Sequence, residues 1–411
     1  MRTREDCLKL DADDPLGFAR ARFSMPEGLI YLDGNSLGAL PVTTAARVEE
    51  VIAREWGGDL IRSWNTADWI GLPLRVAKRI APLIGAGEDE VIAADSTSVN
   101  LFKLAAAALK HQAPRRVILT EGENFPTDQY VLQGLEALPG GAAELRTVAR
   151  EELLDALNDD VALIALTHVD YKSGAIHDMA AITAAAHRVG ALALWDLSHS
   201  AGAVELALNG CGADLAIGCG YKYLNGGPGA PAYLFVARHL QDKLVQPLSG
   251  WMGHAAPFEF ASQYRPAAGM LRFLSGTPVV LGMAAFEEGL KTFDGISMRE
   301  VQAKARVLGD LFLSLVESRC RDAGFVIGCP RDSAKRGSQV CLWHPEGYAI
   351  MQALIAEGVI GDFRAPDVMR FGFAPLYTRY VDVFEAVTKL AEIMRSGRWH
   401  EGCFQVRAAV T

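Results

Sequence analysis

Between about residue 85 and residue 240, short apolar runs alternate with amphipathic or alanine-rich stretches, and no other feature of the chain restricts its fold as much. VILTEG (117–122), LIALTHVDY (163–171), LALWDLSH (192–199) and LAIGCGYKYL (215–224) have the length of buried strands, and MAAITAAAHRVG (179–190) reads as a helix stopped by glycine. A strand that is apolar at nearly every position needs cover on both faces. Strand-helix-strand alternation supplies that cover, so the pattern predicts an α/β fold with a mostly parallel sheet sandwiched by helices.

From Thr277 the pattern lengthens into TPVVLGMAAFEEGLKTF and MREVQAKARVLGDLFLSLVESRC, two amphipathic helices. They lead toward a smaller C-terminal α+β domain, with strands in GSQVCLWHP and VMRFGFAP, a helix in YAIMQALIAEG and a closing helix around 382–395. The expected division is an N-terminal segment over 1–55 that packs across both domains, a large α/β domain over 56–290 and a small domain over 291–411. No internal repeat or low-complexity tract interrupts it.

A net charge of −9, with no basic stripe, argues against nucleic acid as a partner. No run of about eighteen apolar residues predicts a membrane span, and the N-terminal MRTREDCLKLDADDP has no apolar stretch to act as a signal; a cytoplasmic protein is expected. The seven cysteines form no C-x-x-C pair and the nine histidines no metal-ligand pattern, so neither a disulfide framework nor a metal site is expected.

In a parallel α/β sheet, ligands bind beyond the carboxyl ends of the strands. Four loops there carry polar groups. Asp95-Ser96-Thr97-Ser98-Val99-Asn100 precedes a helix, where hydroxyls and unpaired N–H groups can cradle a phosphate or simply cap the helix. Phe125-Pro126-Thr127-Asp128 places a ring, a rigid residue and a carboxylate where another helix starts, and reads either as a ligand contact or as a capping box. Asp196, in WDLSHSAG, ends an apolar strand and calls for a positive partner, either an arginine or a protonated heterocyclic nitrogen. Lys222 lies between two tyrosines in GCGYKYLNGGPG, where by itself it reads as a solvated surface lysine.

Taken together these loops say more. Lys222 follows Asp196 by one expected helix and one strand, which brings both to the same sheet edge. A lysine for a Schiff base, an aspartate for a pyridinium nitrogen and a helix start for a phosphate are the supports that pyridoxal phosphate needs. The glycines around Lys222 suit close approach of such a cofactor and tight turns. A Walker loop would need G-K-[ST], and a dinucleotide fingerprint a further G-x-x-G; neither occurs here.

Asp33-Gly34-Asn35-Ser36-Leu37-Gly38, the FPTD, WDLSH and YKYLNGGPG segments, and Arg370 in VMRFGFAPLY resemble the kynureninase family of fold type I pyridoxal-phosphate enzymes, in the same order and over essentially the whole chain. The resemblance implies hydrolysis of L-kynurenine to anthranilate and L-alanine. It also implies that Lys222 carries the cofactor, Asp196 binds its ring nitrogen and Tyr221 moves protons. Thr97, Ser98, Phe125, Pro126, Thr127, Asp128, Thr167 and His199 would line the cofactor, with Phe125 against its ring. Trp251 and Thr277 would come from the neighbouring subunit of a homodimer. Arg370 would hold the substrate carboxylate, and Asn35, Ser36 and Trp64 would face the substrate. Thr277 stands where animal members tend to carry asparagine, and Ile61-Arg62-Ser63-Trp64-Asn65 lacks their histidine, which favours L-kynurenine over 3-hydroxy-L-kynurenine. A cysteine desulfurase with Cys320, Cys329 or Cys341 as persulfide carrier is the alternative, against which the tyrosine before Lys222 argues.

Overall fold

Val161–Thr167, Leu192–Asp196, Leu215–Cys219 and Ala232–Val236 are buried at every position, which makes them the centre of a sheet and not its rim. The computed structural model describes residues 2–141 and 143–407. Its main sheet has seven strands, in the spatial order Val91–Ala93, Ala232–Val236, Leu215–Cys219, Leu192–Asp196, Val161–Thr167, Val117–Glu121 and Glu144–Val148. All neighbouring pairs are parallel except those made by Ala232–Val236, which runs antiparallel to both of its neighbours. The strands end earlier than the apolar runs suggest, at Thr167, Asp196 and Cys219, so the polar residues that follow lie in loops at one edge of the sheet.

One expected element is absent. The segment between Asp196 and Leu215 forms successive turns and no helix. Gly202 and Gly212 adopt φ of 84° and 66°, which break any helical run there. Leu192–Asp196 and Leu215–Cys219 still pair in parallel, Asp196 opposite Ile217, so Asp196 and the Lys222 loop do leave the sheet at the same edge.

A second sheet of four antiparallel strands, ordered Asp362–Arg364, Val368–Gly372, Gln339–Trp343 and Val326–Ile327, packs under the helices Met298–Arg319 and Tyr380–Ser396. Its core is separate from that of the large sheet and centres on aromatic contacts such as Phe312 and Phe371, with ring centroids 4.7 Å apart.

The N-terminal residues touch both units. Asp11 accepts from the backbone N–H groups of Tyr380 and Val381 at 2.6 and 3.0 Å, satisfying donors at the start of the closing helix. Ile30–Tyr31 pairs in parallel with Val359–Ile360, while Leu16, Ala19 and Phe23 enter the large core. Gly38 N–H donates to the Tyr221 carbonyl at 2.8 Å, which ties the DGNSLG loop to the lysine loop. Among the described residues no helix is long and apolar enough to cross a membrane.

Candidate active site

The loops at the carboxyl edge of the large sheet enclose a cavity of about 280 Å³. Asp95, at φ 47°, turns the chain into the helix Thr97–Gln112, and its carboxylate is held at 2.5 Å by the fully buried Lys103, which also donates to the Phe273 carbonyl at 2.8 Å. That pairing sets the loop, and Ser96 then caps the helix by accepting from Val99 N–H at 3.3 Å. The capping reading therefore holds at Ser96, while Thr97 and Ser98 line the cavity beside the unpaired N–H groups of the first turn.

The helix Pro126–Glu136 begins without a side-chain cap, Phe125 being the cap residue and Pro126 the first helical position, where its missing N–H costs nothing. The capping-box alternative is thus excluded. Asp128 turns inward instead, 5% exposed, and lies within reach of Thr167 Oγ1 at 3.4 Å; Thr167 also donates to Asn124 at 2.5 Å. Burial, and after it the charge of Asp196, raises the Asp128 carboxyl well above the usual carboxylate range. Asp196 accepts from Ser198 N–H at 2.7 Å. Among the described residues neither Asp128 nor Asp196 forms an ion pair with lysine, arginine or histidine. Two buried carboxyl groups facing one cavity, neither in an ion pair, make a place for a ring N–H.

Lys222 extends from its loop so that Nζ lies 2.9 Å from His199 Nε2, 5.9 Å from the centre of the Phe125 ring and 5.7 Å from that of Tyr221. His199 is buried, and its pKa falls well below the ordinary value, first through burial and then through Lys222 and Arg370. It stays neutral beside the lysine. Burial, followed by Cys219 and Asp196, raises the Tyr221 phenol, so it keeps its proton at neutral pH. A lysine, two buried carboxyl groups, an aromatic side chain and a helix start around one cavity fit the groups of pyridoxal phosphate.

The glycines about Lys222 serve a different purpose from the one expected. A Cβ on Gly218 would run into the Tyr233 phenol, and on Gly220 into the Pro231 carbonyl at 2.5 Å and Phe286 at 2.8 Å, so it is other parts of the fold that approach the backbone there. Gly227 and Gly229 are at φ 86° and 71° with open space around them, and do meet the demand of a turn.

Arg370 sits outside the cavity wall, 2% exposed, in an ion pair with Asp362. It donates to the Tyr171 carbonyl at 2.6 Å and approaches Ser36 Oγ at 3.3 Å, and its Nε is buried without a partner. Both polar atoms of Asn35, packed against Gly372, are likewise unpartnered. Unsatisfied buried donors such as these are what an incoming carboxylate would engage. Trp64, Trp251 and Thr277 are not brought to this cavity: Trp64 and Trp251 pack edge to face at 5.9 Å in a separate aromatic cluster with Trp69, Phe258 and Phe260, and Thr277 is exposed.

Ser198, within WDLSH, lines the cavity together with Tyr171; Gln339 holds His199 in its wall and Asp362 holds Arg370 beyond it, and no motif marks Tyr171, Gln339 or Asp362. The one signal for Gln339 was a polar residue opening an otherwise apolar strand.

Fold and site together define a class V aminotransferase-type enzyme, and the model for that family matches residues 64–343. The model for the kynureninase C-terminal domain matches residues 301–390. Kynureninases of Burkholderia mallei (strain SAVP1) and Pseudomonas fluorescens are each 52% identical over 100% of this chain and 100% of theirs, and the chain belongs to the kynureninase family. Among solved structures, a cysteine desulfurase from Thermococcus onnurineus NA1 has a TM-score of 0.75 at 19% identity, covering 96% of this chain and 99% of its own. A cystine C-S lyase bound to its product cysteine persulfide has a TM-score of 0.74 at 16% identity, covering 89% and 98%. These likenesses concern the fold. The desulfurase alternative loses its carrier here, since Cys320, Cys329 and Cys341 are buried in the core of the small sheet.

Proposed function

We propose that this protein hydrolyses the bond between the β and γ carbons of L-kynurenine, releasing anthranilate and L-alanine, with pyridoxal phosphate as cofactor. The observation that carries the reading is the Lys222 amine, 2.9 Å from a neutral histidine in a cavity that also contains Asp196 and the Thr97–Gln112 helix start. When bound, the cofactor supplies the electron sink that makes the substrate Cα proton removable and the β–γ bond breakable.

The chain's own residues supply placement and proton transfer. Lys222 would hold the cofactor, and its amine would take the Cα proton of the substrate. Asp196 would keep a proton on the ring nitrogen, with the Asp128 carboxyl, raised by burial and by Asp196, beside it. Thr97, Ser98 and the first helical turn would hold the phosphate, and Phe125, with Pro126 and Thr127 behind it, would face the ring. Tyr221, protonated at neutral pH, donates as the aryl ketone is hydrated and the bond cleaves. Arg370 binds the substrate carboxylate through its unpartnered edge, with Asn35 and Ser36 beside it.

We further propose a homodimer in which Trp251 and Thr277 reach the other copy's cavity and Trp64 walls its aromatic end. Phe258 and Phe260, next to Trp251, are 57% and 75% exposed, which is unusual for isolated surface and usual for an interface.

Purified protein with pyridoxal phosphate is expected to convert L-kynurenine to fluorescent anthranilate and alanine, faster than it converts 3-hydroxykynurenine, and to release no sulfide from cysteine. Sulfide release without anthranilate would reverse the reading. Mixed dimers of Lys222→Ala and Trp251→Ala chains should regain activity in one site of the two if Trp251 acts across the interface, and none if it acts within its own chain.

A further inference from the structure

Gln339 opens the first central strand of the small sheet, opposite Gly372, and is 1% exposed. Both ends of its amide are committed. Nε2 donates to the Tyr171 carbonyl at 3.0 Å and lies 3.4 Å from the Lys172 carbonyl. Carbonyls can only accept, so the nitrogen faces them and Oε1 faces His199 Nδ1, 3.1 Å away. An amide oxygen also only accepts. The hydrogen therefore resides on Nδ1, and a neutral imidazole has just one, which leaves Nε2 bare toward Lys222 Nζ.

The charged groups that act on this imidazole are Lys222, Arg370 and Arg364, all cations, and with burial they keep it neutral. The Tyr171 carbonyl that receives Gln339 also receives Arg370, so one loop carbonyl seats the partners of both the lysine and the arginine.

We infer that Gln339 is a positioning residue for the reactive lysine: it fixes His199 in the tautomer whose Nε2 accepts a hydrogen from Lys222. The inference rests on Lys222 being the cofactor-bearing amine. Its purpose is directional. An amine that gives one N–H to His199 has its lone pair turned elsewhere, free to take a proton from the substrate.

The test reads the tautomer directly. In full-length protein labelled with 15N-histidine, with and without pyridoxal phosphate, the His199 ring is expected as Nδ1–H with a bare Nε2. Gln339→Leu should shift it toward Nε2–H or a mixture, and should lower kcat about tenfold while KM moves less than about twofold. Gln339→Glu still accepts from Nδ1–H but favours the imidazolium, so it should keep the tautomer and move the acid limb of kcat up by about one pH unit or more. A His199 protonated at Nε2 in the unaltered protein overturns the assignment, as does a Gln339→Leu chain with unchanged tautomer and kcat. Should the variants fail to fold, the measurement on the unaltered protein decides. It decides equally if L-kynurenine proves not to be the substrate.

Discussion

Arg370 and Asp362 pair their charges inside the protein, with only 2% and 4% of the two side chains exposed. Ser36 donates to the same carboxylate at 3.0 Å, and Arg364 approaches its other oxygen at 3.0 Å. Removing Arg370 leaves the buried Asp362 carboxylate with only Ser36 and the partly exposed Arg364 to offset it. Arg370→Ala is therefore expected to lose about 3–5 kcal/mol of stability as well as substrate affinity. Arg370→Lys keeps the charge but not the planar fork, and should raise KM about 10- to 100-fold with a smaller loss of stability. Urea unfolding and steady-state kinetics separate the two effects. An unchanged KM in Arg370→Lys would remove this residue from the carboxylate site.

Lys222 bonds to His199 and is half-buried, so its truncation removes little packing. Lys222→Ala should fold normally, lose the visible absorbance of covalently held cofactor, and turn over at least about 10³-fold more slowly. Absorption spectra and chemical reduction followed by mass measurement check both points. Retained turnover would move the reactive amine elsewhere.

Asp33 lies in the DGNSLG loop with one carboxylate oxygen buried and unpartnered. Burial first, then Asp362, pushes its pKa up to about 7, against the help of Ser36, Arg370 and Arg364. The folded chain thus binds more protons than the unfolded chain between about pH 4 and pH 7, and the contribution of Asp33 to stability is lost as the pH rises through that window. Asp33→Asn should flatten this part of the profile by roughly 2 kcal/mol. Urea midpoints at pH 5 and pH 8 test it, and parallel profiles for variant and parent would contradict it.

Gly38 donates its N–H to the Tyr221 carbonyl, and a Cβ there would overlap the Lys222 carbonyl and come within 2.6 Å of Asn225 Oδ1. Gly38→Ala must push the lysine loop away. A loss of about 1–3 kcal/mol is expected, with a disproportionate fall in kcat because the displaced segment carries Lys222. Equal kcat in variant and parent would show that the loop tolerates the shift.

Lys222 and Asp196 were legible in the sequence because each follows a run of residues apolar enough to be a central strand, and strand ends in a parallel sheet face the ligand. The missing helix between them was harder to read: Gly202 and Gly212 break the run, but the residues between them have helical composition. Of the glycines at 218–229, Gly227 and Gly229 supply the tight turns that the sequence leads one to expect, while Gly218 and Gly220 are crowded by the fold itself, by Tyr233, Phe286 and the Pro231 carbonyl.

What the sequence by itself determined is the kind of sheet, the edge at which its polar loops emerge and the residue types offered there, because all three depend on local apolar pattern. Only the tertiary structure decided which of those polar atoms meet. His199 and Gln339 are 140 residues apart and Lys222 and His199 23, yet one tautomer links all three. Hydrogen-bond partnership of that sort depends on the packing of the small sheet against the large one, and on burial that keeps His199 neutral, neither of which has a local signature.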